Sequence, residues 1–281
     1  QIKENPNVEY AEPNYRFGLD NFEVGEMITA EEASKLPAST VIDVDDPLYS
    51  VQSNITSTNL DDVWDTYSTG DGTQVVAILD TGVDYNHPDL AANTWMKRAE
   101  QNGGAGLDDD GNGHRDDIHG GDVINVDNAP LDDNIHGTHV AGIVGAVGNN
   151  GIGIAGAAWN VKLMPIKVLQ STGSGNAATV AAGIEYAANN GATIINMSLG
   201  SGADSSVMRA ALENAYATAV LVGSAGNSKK CIGPGICPDM TDPSPSYPGA
   251  YSFVLGVQDA ASYSNYDQDG PVATSYINLL N

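Results

Sequence analysis

Three short stretches carry side chains of types able to do chemistry. Asp80-Thr81-Gly82-Val83-Asp84 sets a carboxylate directly after the apolar run Val75-Val76-Ala77-Ile78-Leu79. An Asp at the carboxyl end of a buried strand is placed to face a cleft, whereas taken alone it reads more simply as a turn or capping residue. His136-Gly137-Thr138-His139-Val140-Ala141-Gly142 opens a helical stretch with two imidazoles at i and i+3. The zinc-protease pattern needs them at i and i+4 with a Glu between, and none stands there. Alone, one of the pair reads as a satisfied core histidine. Gly223-Ser224-Ala225-Gly226-Asn227 presents an amide on a glycine-rich turn after a strand, and in isolation it is only a turn.

A fourth stretch is acidic. Asp108-Asp109-Asp110-Gly111-Asn112-Gly113, with Asp116-Asp117 close behind, packs like charges that need either a cation or full solvation. Alternating oxygen ligands and glycines resemble the start of a calcium loop, without the closing Glu of an EF-hand. Asp108, Asp110, Asn112 and Asp116 are the expected ligands, and a solvated acidic loop is the alternative. Asp122, Asp127, Asp132 and Asp133 either join this region or only add to its field.

The elements that must position these groups follow from periodicity. Val75–Leu79, Val161–Leu169, Thr193–Met197, Ala219–Gly223 and Phe253–Val257 read as buried strands. The stretch after His136 through Val147, then Ala177–Ala188 and Ser206–Thr218, read as helices with one apolar face. Alternation of strand and helix predicts right-handed crossovers and an α/β fold, with a mostly parallel central sheet covered by helices on both faces. Ligands of such sheets bind beyond the carboxyl ends of the strands, where Asp80, Ser198 and Asn227 all fall.

Composition narrows the function. The 281 residues hold 11 Lys+Arg against 36 Asp+Glu, a formal charge of −25. That balance argues against nucleic acid and against an anionic membrane surface as partners. Apolar residues make up 41%, enough for a sizeable core, and no run approaches the length of a membrane span. Cys231 and Cys237 are too few for a disulfide scaffold and wrongly spaced for C-x-x-C; a small disulfide-closed loop and two free thiols both stay open. Gly151-Ile152-Gly153-Ile154-Ala155-Gly156 matches G-x-G-x-x-G, yet a helix precedes it and a strand follows, the reverse of a dinucleotide site. No signal peptide opens the chain, and both ends fall in mid-pattern, so a fragment or processed piece is expected.

Taken together and in order, strand-Asp-Thr-Gly, His-Gly-Thr-His-Val-Ala-Gly, Ser-Leu-Gly and Ala-Gly-Asn resemble the subtilisin-like serine proteases (subtilases) over about residues 46–270, with the family's Asp-then-His order. The resemblance implies a subtilisin-like three-layer fold, incomplete at its carboxyl end, and an endopeptidase working through an acyl-enzyme. Asp80 would orient the imidazole, His136 would be general base and then general acid, and His139 would be structural behind it. Asn227 would donate to the oxyanion. Ser174-Gly175 and Ser198-Leu199-Gly200 would pair with the backbone of a protein or peptide substrate, and Ala225-Gly226 would floor the pocket before the scissile bond.

The family's nucleophile motif, Gly-Thr-Ser-Met-Ala-x-Pro, does not occur. The nearest text, Ala273-Thr274-Ser275-Tyr276, lacks most of it and comes too soon, so Ser275 is not assigned. The expectation is a chain that stops before the serine and is inactive alone. A non-catalytic subtilase-fold binding protein, or one chain of a nicked protease whose partner chain carries the serine, are the alternatives.

The resemblance also implies a second calcium site. Asp89 would meet the loop Gly148–Ile154, with the Asn150 side chain and the carbonyls of Gly148, Ile152 and Ile154 as ligands, and Asp46 tying the arm to the same ion. Asn7-Val8-Glu9-Tyr10-Ala11-Glu12-Pro13-Asn14-Tyr15 resembles the last strand of a subtilase prodomain. Residues 1–45 would then be prodomain tail, an intramolecular inhibitor, plus maturation linker, and 46–281 a truncated peptidase domain. A secreted or extracellular, calcium-stabilised protein follows, with the cell surface left open.

Overall fold

A computed structural model describes residues 12–19, 43–125, 127–226 and 245–257. Eight strands fall in this set: β1 Arg16–Gly18, β2 Val75–Asp80, β3 Gly121–Asp122, β4 Lys162–Lys167, β5 Ser174–Asn176, β6 Ile194–Met197, β7 Val220–Ser224 and β8 Leu255–Val257. Helices are α1 Ser53–Ser57, α2 Leu60–Thr66, α3 Arg98–Asn102, α4 His136–Gly145, α5 Ala177–Asn189 and α6 Ser206–Ala215.

Six strands form one sheet in the order β3-β4-β2-β6-β7-β8, every pairing parallel. The five strands expected from the sequence are its centre and far edge, and the two-residue β3 is an addition. Only three residues of the expected Phe253–Val257 strand, Leu255–Val257, pair with β7.

Successive side chains of β2 point to opposite faces of the sheet. Ala77 and Leu79 join a large core with Val180 and Ile184 of α5 and Met208 and Leu212 of α6. Val76 and Ile78 join a second core with Ala141 of α4 and with Leu90, Val161 and Leu163. Each fully buried Leu or Ile contributes roughly 1.5–3 kcal/mol. The same alternation places Asp80 on the α4 side, one step past Ile78. The pleat of the strand thereby aims the carboxylate at the helix that begins with His136.

Helix starts are specified locally. Asn176 caps α5 in a reciprocal pair with Thr179, its side chain accepting from the N–H of Ala178 and Thr179. Ser205 caps α6 by accepting from Met208 N. The arm before the sheet is pinned by Gln52, whose amide donates to Ala155 O and accepts from Ala155 N, both at 2.8 Å. Tyr49, Ile55 and Trp64 close a third small core there with Ala155.

Candidate active site

Asp80 ends β2 fully buried, and His136 opens α4 with its side chain 12% exposed. The His136 Nδ1 lies 2.8 Å from Asp80 Oδ1 and 3.0 Å from Oδ2. A carboxylate only accepts, so Nδ1 carries the hydrogen and Nε2 is the basic nitrogen. Thr81 N also donates to Asp80 Oδ1, at 2.7 Å. Burial pushes the Asp80 carboxyl above its ordinary range, and the bond and charge of His136 pull against that.

Backbone proximity makes this approach feasible. A Cβ on Gly137 would lie 2.0 Å from the carbonyl oxygen of Gly82 and 3.0 Å from Asp80 Cβ, so only glycine lets the first turn of α4 sit on the exit of β2. Ile135, the residue before His136, has φ +92°, a left-handed conformation that costs a β-branched side chain about 1–3 kcal/mol. Its N–H is held by Asp132 Oδ1 at 3.1 Å.

Ser198, Leu199 and Gly200 follow β6, and Ala225 and Gly226 follow the adjacent β7. Ser224 Oγ donates to Leu199 O at 3.2 Å and ties the two exits together. Ser174 and Gly175 form β5, and β1 pairs antiparallel with it, Phe17 opposite Gly175 and Gly18 opposite Ser174. Gly18 also exchanges both backbone bonds with Gly200, at 3.2 and 3.0 Å. Residues 16–18 therefore lie as a middle strand between the two segments expected to hold substrate backbone. Phe17 is 2% exposed and packs in the large core. The strand falls just after the Asn7–Tyr15 stretch; residues 1–11 are outside the described set. Glu12 reaches α6, accepting from Ser206 N at 2.9 Å and Val207 N at 3.1 Å and from the hydroxyls of Ser205 and Ser206. Desolvation pushes its carboxyl up, but these four donors together win and hold it at about 2.

Asn227, Cys231, Cys237 and Ser275 lie outside the described residues. His139 is exposed and lines a cavity of about 570 Å³ with His87, Asp84 and Leu90. Burial and the charge of His136 hold its imidazole below the ordinary range.

The two expected metal regions differ in how far their residues converge. Asp46 and Asp89 are both buried, at 4% and 2%, against one loop. Asp46 accepts from Asn149 N at 2.7 Å and Asn150 N at 3.0 Å. Asp89 accepts from Asn150 Nδ2 at 2.9 Å and Ile154 N at 3.1 Å. Asn150 Oδ1 accepts from Ile152 N at 2.8 Å. Gly153, at φ +56°, lets the loop close over Asp89, since a Cβ there would lie 2.4 Å from Asp89 Oδ2. Among the described residues the carbonyls of Gly148, Ile152 and Ile154 accept no hydrogen bond, and neither carboxylate has an ion-pair partner. Two buried anions beside unengaged carbonyls fit a hard divalent cation. Burial, with a smaller push from Asp46, raises the Asp89 carboxyl against its local hydrogen bonds.

In the acidic loop, Asp108 and Asp110 converge with Glu100, one oxygen of each within 4.8 Å of the others. Asp116 is not in that group. The Asn112 amide donates to Asp117 at 2.9 Å and its oxygen accepts from His114 N, while Asp116 Oδ2 accepts from Gly106 N. Glu100, missed in the sequence, is 3% exposed and holds the loop by accepting from the N–H of Asp109, Asp110 and Asp116. A Glu in the first turn of a short helix gives little signal from sequence alone. Asp132 and Asp133, read as neighbours of this region, stand instead beside the Asp80–His136 pair. So does Lys167, the charged residue that ends β4.

A parallel sheet with a buried Asp–His pair at its carboxyl edge, beside two strand-accepting segments, defines the architecture of one protease class. The subtilase-family model matches residues 71–274, and the chain belongs to that family. It is 36% identical over 228 residues to a thermophilic serine proteinase of Bacillus sp. (strain AK1), covering 81% of this chain and 46% of that protein. Thermitase of Thermoactinomyces vulgaris is 34% identical over 210 residues, 72% of this chain and 62% of thermitase. Subtilisin-like protease 1 of Plasmodium vivax is 40% identical over 146 residues, 52% of this chain and 23% of that protein. The chain thus spans less than two thirds of the length of each of these relatives. No helix among the described residues is long and apolar enough to cross a membrane.

Proposed function

We propose that this chain is part of a serine endopeptidase. The observation that carries the reading is the His136–Asp80 contact at 2.8 Å, set at the carboxyl edge of the sheet next to β5 and Gly200. Asp80 fixes the Nδ1–H tautomer and stabilises the imidazolium. His136 Nε2 takes the proton of an attacking serine hydroxyl and returns it to the leaving amine. Asn227 donates its side-chain amide to the oxyanion. The hydroxyl comes from a serine motif that residues 1–281 do not contain, so this piece alone does not form an acyl-enzyme.

Substrate backbone adds as a strand between Ser174-Gly175 and Ser198-Leu199-Gly200, above Ala225-Gly226. That track is the one β1 occupies, which supports residues 1–45 as an inhibitory propeptide tail with its linker and 46–281 as peptidase domain. Calcium, held by Asp46, Asp89, Asn150 and the carbonyls of Gly148, Ile152 and Ile154, neutralises two buried carboxylates and clamps the arm to the sheet. A second ion suits Glu100, Asp108 and Asp110. A calcium-clamped, self-inhibited protease belongs in a secreted or extracellular setting.

A serine-directed fluorophosphonate tests the reading. In the full-length protease it should label one serine, and labelling should vanish in His136→Ala. Equal labelling of both proteins would remove His136 from the mechanism.

A further inference from the structure

Two charged side chains that take no part in the chemistry above converge on the turn after Asp80. Asp132 accepts five hydrogen bonds. Its Oδ1 takes Thr81 Oγ1 at 2.8 Å, Asn134 N at 2.9 Å and Ile135 N at 3.1 Å. Its Oδ2 takes Thr138 N at 2.9 Å and Thr138 Oγ1 at 2.6 Å. One carboxylate thus bridges the residue after Asp80 to both sides of His136. Thr81 Oγ1 also accepts from Gly137 N at 3.0 Å, and Thr138 Oγ1 from Asp84 N at 2.9 Å. Burial pushes the Asp132 carboxyl up, but its donors, the Thr138 hydroxyl foremost, hold it below the usual range, as an anion.

Lys167 works from the other side. It ends β4 directly opposite Asp80 in the parallel register and is 1% exposed. Its ammonium donates to Thr81 O and to Asp133 Oδ1, each at 2.6 Å. An ammonium is costly to bury, and here both of its acceptors belong to the two turns that carry the pair. A scaffold role alone has no need to engage both Thr81 groups, the hydroxyl and the carbonyl, from two different elements.

We propose that Asp132 and Lys167 are positioning residues that clamp the turn after Asp80 to the turn before His136 and so set the Asp80–His136 hydrogen bond. The clamp also holds Ile135 in its left-handed conformation, which fixes the direction in which α4 leaves the loop. The proposal rests on Asp80 and His136 being catalytic, and its test separates the two claims.

The test uses the full-length protease with Asp132→Asn, Lys167→Met and the pair Thr81→Val and Thr81→Ser. A peptide ester substrate gives kcat and KM, and proton NMR reads the His136 Nδ1–H resonance. Misplacing a catalytic group by about 1 Å costs up to about 100-fold in rate. Asp132→Asn, Lys167→Met and Thr81→Val should each lower kcat by about 10- to 100-fold, leave KM within about twofold and move the Nδ1–H resonance. Thr81→Ser, which keeps the hydroxyl, should restore most of both. If Lys167→Met or Asp132→Asn does not fold, the Thr81 pair carries the test, since Val conserves the shape. Folded variants with lowered melting temperature, unchanged kcat and an unmoved resonance would overturn the clamp. Activity surviving in His136→Ala would overturn the catalytic reading instead, and the Nδ1–H resonance of the variants that keep His136 would still report on the clamp.

Discussion

Glu12 and Ser206, 194 positions apart, meet at the first turn of α6, where the carboxylate accepts both the backbone N–H and the hydroxyl of the serine. Helix amino termini favour anions, and here the four donors around Glu12 lie within one turn. Because its carboxyl is held at about 2, below its ordinary value of 4.5, the contact is strongest where Glu12 is ionised in both free and bound forms. The contribution is therefore full above pH 4.5 and is lost as pH falls towards about 2. A propeptide supplied in trans should bind progressively more weakly across that window. Glu12→Gln should bind more weakly at neutral pH and show little change across it. Dissociation constants of the propeptide, measured by direct binding from pH 2.5 to 7, check this; a Glu12→Gln curve parallel to the original would contradict it.

Asp80→Asn keeps the shape of the site but presents a donor where His136 Nδ1–H needs an acceptor. The imidazole then loses its set tautomer. The expected loss is about 10⁴-fold in kcat, with KM little changed. Steady-state kinetics on a peptide ester measure it, and a loss below tenfold would mean that Asp80 does not orient His136.

Much of this geometry was legible. Val75–Leu79 is an unbroken apolar run, so a buried strand ending at Asp80 follows from the sequence, while the face to which Asp80 points does not; His136 follows from the motif after it. Less legible was anything fixed by contacts between distant segments. The pairing of Arg16–Gly18 with Ser174–Asn176 joins two glycine-containing stretches with no alternating pattern. Glu100, which converges with Asp108 and Asp110, stands outside the acidic run, and no spacing rule over that run reveals it. Asp132 and Asp133 looked like surplus acid because adjacency in sequence to an acidic loop says nothing of which turn they face.

Calcium removal tests the Asp46–Asp89 site. A ligand present at about 100 times its Kd stabilises by about 2.7 kcal/mol, which for a domain of this size is a melting shift of roughly 5–10 °C. Chelator should lower the melting temperature by that order, and Asp89→Asn should remove most of the difference. An unchanged melting curve, with no metal found by elemental analysis, would dismiss the ion.

Glu100→Gln probes the acidic loop separately. The carboxylate holds three loop N–H groups from a buried position, and an amide keeps only one accepting oxygen. The loss should be about 1–3 kcal/mol, felt locally. Hydrogen exchange should speed up at Asp109, Asp110 and Asp116 while the β2 amides stay protected. Uniform acceleration across the sheet would instead make Glu100 part of the global core.

The most direct test of the account is kcat/KM for His136→Ala in the full-length protease, measured on a peptide ester at neutral pH. With the general base removed, the value should fall by about 10⁴-fold or more, while the protein keeps its melting temperature within a few degrees. A folded His136→Ala protein that cleaves the ester at the original rate would show that the imidazole beside Asp80 takes no part in the reaction.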